Sequence, residues 1–491
     1  MENGTIAHTA RSEAAMPTTF TIRLAAFSAA TLFLLAPAIW NGFPLLFYDT
    51  GAYLGRAFFD TLSPGRSAVY GWFLGAGSRP DFWPVVIAQS LVTVWTVALF
   101  LRAHDLGHRP ILLVALFAAF TAATGLPWLT GQLMPDVFAG LAVLALYLLV
   151  FRAGALARWE RLALIVLIAF SAAVHNATLA VIVSMLLAGV AVRLLRPQLV
   201  PAIGLARVAG AIAISIVMLL TANFAVTGRL AWTPGGSAFV FSRLVHDGIV
   251  HQFLEDNCPD PRFELCKYRA RLPHHANDFL WHEGDRGAFA AIGGFEGGAE
   301  EMRTIAIESL WQYPGLHLVT AVKSTFAQLF AVGTGWGIVH NVWDAYGHIE
   351  NLTPQAVPAA HGARQRHGQL HFATLNRLHE PLAWLSMAIL ALFLLLAWRV
   401  REFRYFGPLA ATFSAAFLAN AFVCGVLSNP HDRYGTRIAW LATLFVVVAL
   451  ARAVPALRTR PAEPAPTPAI AIEPVAPEPQ LSFVRQKVDP R

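Results

Sequence analysis

Charge is scarce in this chain. Asp, Glu, Lys and Arg make up only 13% of its 491 residues against 56% hydrophobic ones, and the mean hydropathy is +0.54. A soluble domain of this length needs far more polar surface, so the soluble classes are excluded. Cysteine is nearly absent, with three residues in all, and neither an HExxH nor a paired CxxC occurs, so the usual zinc frameworks are excluded too. Twelve of the 17 histidines fall between His246 and His379, but without ligand spacing. The run His274-His275-Ala276-Asn277-Asp278 is weak as a ligand set and reads as solvated loop. No Lys/Arg cluster stands on a soluble module, so the net charge of +7 does not point to nucleic acid. No internal repeat is evident.

What is abundant is apolar sequence in long runs. Lipid permits no open sheet edges, so segments approaching the ~20 residues needed to cross ~30 Å of hydrocarbon must be helices. The fold class is therefore all-α and polytopic, with about ten spans, centred near residues 30, 92, 119, 144, 168, 185, 217, 390, 416 and 445. The stretch around the fifth and sixth reads either as one overlong helix or as two broken at His175-Asn176. Arginine placement favours two. With the amino terminus inside, Arg102, Arg109, Arg152, Arg158, Arg193, Arg196, Arg399, Arg401, Arg458 and Arg460 then all face the cytoplasm, as the positive-inside bias requires. The first span is kept as an anchor, because no small-residue cleavage site follows it.

This topology predicts one transmembrane domain over 1–458 and a disordered cytoplasmic tail over 459–491, whose Pro/Ala/Glu composition cannot bury a core. Chemistry is expected on the outer side, in the first loop, the turn WLTGQLMPD, the His175 break, a long outer segment over 227–380, and the turn SNPHDRYGTR. Within the long segment, PGLHLVTAVKSTFAQLFAVG is amphipathic around one lysine and is read as an interface-lying helix rather than a further span. Cys258 and Cys266 are spaced for a short-loop disulfide, which an oxidising compartment favours; two unpaired thiols are the alternative.

The stretch FYDTGAYL puts a carboxylate, Asp49, just where the first apolar run ends. Asp136 opens the fourth span, where a helix dipole alone would favour an acid. Arg433, in His431-Asp432-Arg433-Tyr434, departs from the positive-inside trend. It either pairs with Asp432 or another outer carboxylate, or holds an anionic ligand at headgroup level, and the second reading is preferred. A divalent ion between Asp49 and Asp136 is left open, and no cofactor is required.

The ordering of YDTGAYL, SPGRSAVYGWFL, MPDVFAG and HDRYGTR resembles the GT-C superfamily of integral-membrane glycosyltransferases, in particular the branch of protein mannosyltransferases and aminoarabinose transferases that use polyprenyl- or dolichyl-phosphate sugars. The resemblance covers most of the chain. It implies a helix bundle with interface helices in the first outer loop, with Ala52 to Gly77 as their material, and Asp49 as the catalytic base or acceptor-binding carboxylate. The chain has Asp49-Thr50 where that branch has Asp-Glu, and Arg66-Ser67 where it has Arg-Pro. Tyr48, Tyr53, Arg66, Asp136, His175, His431, Asp432, Arg433 and Tyr434 are the expected substrate-binding residues. The expected partners are a polyprenyl-phosphate-sugar donor, membrane lipid and a glycan, lipid or protein acceptor, at the outer face of the cytoplasmic membrane. A lipid-linked-sugar flippase and an O-antigen polymerase or ligase are the rival readings, and a structural scaffold a weaker third. Polarity gathered at one face argues against a transporter, whose ionisable residues sit near the midplane.

Overall fold

The computed structural model describes residues 6–58, 64–228, 230, 232, 235–282 and 287–453. The tail over 459–491 lies outside the described residues, as do Arg458 and Arg460. All described regular structure is helical. The first loop and what precedes it comprise α1 (Ile6–Asn41), α2 (Thr50–Phe58) and α3 (Ala68–Ala76). Then come α4 (Trp83–Ala103), α5 (Pro110–Ala123), α6 (Leu126–Thr130), α7 (Val137–Phe151), α8 (Arg158–Val174), α9 (Asn176–Leu195) and α10 (Ala202–Thr227). The long segment holds α11 (Gly236–His246), α12 (Ile249–Asn257), α13 (Ala288–Ala291), α14 (Gly294–Gly297), α15 (Ala299–Gln312), α16 (Pro314–Phe330), α17 (Trp343–Leu352) and α18 (Val357–Gly362). The chain closes with α19 (Phe372–Arg399), α20 (Gly407–Val426) and α21 (Asp432–Ala453).

A helix covers each of the ten predicted centres. Seven are long and apolar enough to cross a membrane: those within α1, α4, α9, α10, α19 and α21, and the one formed by α20 with the turn before it. Helices α5 and α7 are apolar but shorter. Helix α8 has 17 residues and carries Arg158, Glu160 and Arg161 in its first turn. Proline sets several starts: Pro84, Pro110, Pro127, Pro314 and Pro408 occupy the first turns of α4, α5, α6, α16 and α20, where the missing N–H has no intrahelical acceptor to serve. The chain breaks at His175, whose extended backbone separates α8 from α9. Of the two readings of that stretch, two helices is correct.

Helix α7 is the hub. It is buried from Val137 to Val150 and packs against α4, α8, α10, α20 and α21. Around it α1 lies on α5 and α4, while α19 lies on α20 and α21. At ~1.5 Å per residue α7 spans ~22 Å, short of ~30 Å of hydrocarbon. At its amino-terminal end it is preceded by the turn over 124–136, whose Gln132 forms an isolated bridge with Leu45 of the first loop.

The first loop contains the expected short helices, α2 and α3. Ser67 caps α3, its hydroxyl accepting from the Val69 N–H. The long segment has a hydrophobic core of its own, with Phe241, Val245, Val250, Phe253, Leu265 and Ile305 among its buried residues, and a disulfide joins Cys258 to Cys266. Helix α16 packs along α20 while exposing Leu318, Val322 and Phe326, as an amphipathic helix at the edge of a bundle does. The long segment ends earlier than expected, because α19 begins at Phe372 and runs through Pro381.

Candidate functional site

The turn after α1 is held from both sides. Leu45 forms an isolated parallel bridge with Gln132, its N–H donating to the Gly131 carbonyl and its own carbonyl accepting from Leu133, each at 2.9 Å. On the other side the Gln365 carboxamide accepts from the Leu46 N–H at 2.9 Å and donates to the Leu46 carbonyl at 2.8 Å. The Thr50 hydroxyl accepts from the Phe47 N–H at 2.9 Å and donates to the Leu133 carbonyl at 3.3 Å. These bonds satisfy the buried turn and bring Asp49, at the head of α2, beside Asp136, at the head of α7.

Arg433 joins the two acids. Its Nε and Nη2 each donate to one Asp136 oxygen at 2.9 Å, a bidentate fork, and its Nη1 donates to Asp49 Oδ2 at 2.7 Å. Arg66 takes the other Asp49 oxygen at 2.5 Å. The Arg433 guanidinium also lies 4.4 Å from the Phe47 ring centre. Asp136 is 2% exposed and Arg433 9%, while Asp49 and Arg66 are half-buried. Arg433 therefore pairs with Asp49 and Asp136, not with Asp432, which accepts from the Gly333 N–H at 3.0 Å. Asp136 makes no capping hydrogen bond to its helix; both of its oxygens accept from Arg433 instead.

Burial by itself pushes the Asp49 carboxyl up, but the charges and hydrogen bonds of Arg66 and Arg433 outweigh it and hold the group at about 2. In this arrangement Asp49 is an anion at any physiological pH and a weak base.

His175 enters the cluster through Arg437, one turn after Arg433 on α21. Arg437 is wholly buried. It donates to Asn420 Oδ1 at 2.9 and 2.6 Å and approaches His175 Nδ1 at 3.5 Å, with no carboxylate in ion-pair contact among the described residues. The centre thus holds two aspartates against three arginines, an excess of one positive charge in a buried place. Arg437 was not among the expected site residues. Its signal was the i, i+4 spacing from Arg433, which puts both on one helix face.

The remaining predicted residues form the rim and the support. Tyr48 is 49% exposed and, with Phe47, packs on Trp336, ring centres 6.5 and 5.8 Å away. His431 stacks on the other side of this rim, 4.2 Å from Trp336, and its backbone is tied to the Gln328 side chain at 2.9 and 3.0 Å. Tyr434 lies beside both Arg433 and Arg437, 5.7 and 5.5 Å from ring centre to guanidinium. Tyr53 is buried, edge-on to Tyr70, and lies behind the cluster rather than at its surface. Neither Trp336 nor Gln365 was expected, since both come from the long segment and only the fold brings them here.

A divalent ion has little to bind. All four oxygens of Asp49 and Asp136 accept from guanidinium groups, and no group of three or more His, Cys, Asp or Glu among the described residues is placed to hold a metal. Comparison with protein-family models, with curated proteins and with solved structures returns no match.

Proposed function

We propose that this chain is a membrane glycosyltransferase that moves a sugar from a polyprenyl-phosphate-linked donor to an acceptor hydroxyl at the outer face of the cytoplasmic membrane. The observation that carries this reading is the buried cluster of three arginines and two aspartates at one end of an apolar bundle. A surplus cation in a site of low dielectric calls for an anion, and apolar helices beside it suit an isoprenoid.

The chemistry follows from what the residues can exchange. Donor phosphate, when bound, competes with Asp49 for Arg66 and Arg433, both of which can fork onto phosphate oxygens. Asp49 then loses the two cations that hold its pKa near 2, and burial drives it upward into the range of a useful base. Donor binding therefore both places the leaving group and frees the base. The acceptor hydroxyl gives its proton to Asp49 while its oxygen bonds to the sugar C1. The C1–O bond to phosphate breaks on the opposite face, and the polyprenyl phosphate departs with its new charge held by the arginines. One displacement needs one base and inverts the anomeric centre. Asp136 keeps Arg433 aimed throughout.

The test is sugar transfer from polyprenyl-phosphate donors in membranes matched for protein amount. Asp49→Asn keeps size but not charge, and transfer is expected to fall by roughly 10²- to 10⁴-fold. Near-normal transfer by that variant rejects Asp49 as the base. No transfer by the wild type with any donor, together with movement of lipid-linked sugar across the bilayer, rejects the transferase and leaves the flippase.

A further inference from the structure

A cavity of about 710 Å³ lies between the long segment and the bundle, walled by α11, the 275–278 turn, α16 and the loop before α21. Its floor is built rather than incidental. Arg243 is 4% exposed and is fully engaged: two bonds to Asp247 at 3.1 and 2.5 Å, one to Asn429 at 2.9 Å and one to Ser324 at 2.5 Å. Resting on the proposed transferase activity, we propose that this cavity is the acceptor subsite and that it takes an uncharged, hydroxyl-rich molecule such as the end of a sugar chain.

Three observations define the ligand. The lining alternates carbon with polar heads, Asn277, Thr320, Ser324 and Asn429 standing among Ala276, Ala327 and Pro430, which suits a molecule with hydroxyl edges and C–H faces. The charges cancel: Arg243 and Lys323 stand against Asp247 and Asp278, whereas the Asp49 centre carries a surplus cation. Burial, then Arg243, lowers the pKa of His246, and burial, then Arg433, brings His431 down to about 4, so both line the wall as neutral imidazoles, each a donor and an acceptor. Neutral groups that both donate and accept match sugar hydroxyls, which do the same. The volume falls within the range of small-molecule sites.

Position gives the cavity its role. His431 lines it and stacks on Trp336, which touches Phe47 and Tyr48 beside Asp49. Two residues further along the chain is Arg433, bound to Asp49. A sugar chain whose end is seated against His431 is therefore one aromatic layer from the base, and its next unit must reach past that layer to present a hydroxyl to Asp49.

The full chain in lipid nanodiscs would be titrated with a panel of methyl glycosides of hexoses, pentoses and N-acetylhexosamines, and in parallel with hexose 6-phosphates, binding being read by saturation-transfer NMR. At least one methyl glycoside is expected to bind, more tightly than any phosphate. His275 and Asn277 are exposed cavity residues, so His275→Leu/Asn277→Leu leaves the core alone and should weaken that binding at least tenfold, with an unchanged unfolding midpoint. Asp49→Asn should bind the glycoside as the wild type does. No binding anywhere in the panel, preference for the phosphates, or equal binding by the double variant overturns the subsite. Those results leave the transfer test at Asp49 untouched, and a failed transfer test with intact glycoside binding rejects the activity but not the cavity's ligand.

Discussion

Arg433 and Asp136 offer the sharpest test of how the centre is held together. Their side chains are 8% and 1% exposed and joined by two bonds of 2.9 Å and 2.9 Å. Removing one partner of such a pair leaves an uncompensated buried charge and costs about 3–5 kcal/mol, whereas replacing both by neutral groups costs far less. For the pair itself, Asp136→Asn leaves the buried Arg433 guanidinium without its two-pronged partner, Arg433→Met leaves the buried Asp136 carboxylate without one, and the double variant removes both charges with Asp49 still on Arg66. We therefore expect each single variant to lose about 3 kcal/mol or more and the double variant to lose less than the sum by about 2 kcal/mol or more, since residues in contact couple by up to ~3 kcal/mol. Equilibrium unfolding in mild detergent measures all four proteins. Losses that add to within about 0.5 kcal/mol, as for independent sites, would refute the pairing as the element that fixes Arg433.

Acid should weaken the fold through Asp49. Its pKa is held at about 2 against an ordinary 3.8, so its contribution is complete above pH 3.8 and is lost as pH falls towards 2; at ~1.36 kcal/mol per decade the loss is roughly 2 kcal/mol. The wild-type unfolding midpoint should drop more steeply between pH 4 and 2 than that of Asp49→Asn, and parallel curves would contradict this. Gly435 lets α21 meet the end of α16, because a Cβ there would lie 1.8 Å from the Ala331 carbonyl oxygen. Gly435→Ala should therefore destabilise by about 1–3 kcal/mol or more and displace Arg433, lowering donor affinity; an unchanged midpoint would mean the helices do not touch there. For topology, a cysteine at the exposed Tyr48 in a cysteine-light protein should be blocked by an impermeant thiol reagent added outside, and one at Arg399 should not. The reverse pattern would invert the bundle. Asp136 is unsuitable for that assay, being 2% exposed.

Much of the architecture was already legible in composition and spacing. Apolar length and the ban on unsatisfied backbone in lipid require helices, and each of the ten predicted centres falls in one. The His175 break was legible as one of two readings because arginines flank it on a consistent side. The acids at the ends of apolar runs, Asp49 and Asp136, and the misplaced Arg433 were visible because charge at such positions is costly and therefore rare. Which partners they choose was not visible. Asp49 and Asp136 are 87 residues apart and meet only because Leu45 bridges Gln132 and Gln365 clamps Leu46. Arg437 looks in sequence like any helix arginine, and its burial beside Asn420 and His175 depends on three helices converging. The cavity is less legible still, its walls coming from four segments between residues 243 and 431. Periodicity and charge are local and are written along the chain; the pairing of distant charges is decided by which packing of the helices leaves none of them alone in a low-dielectric interior.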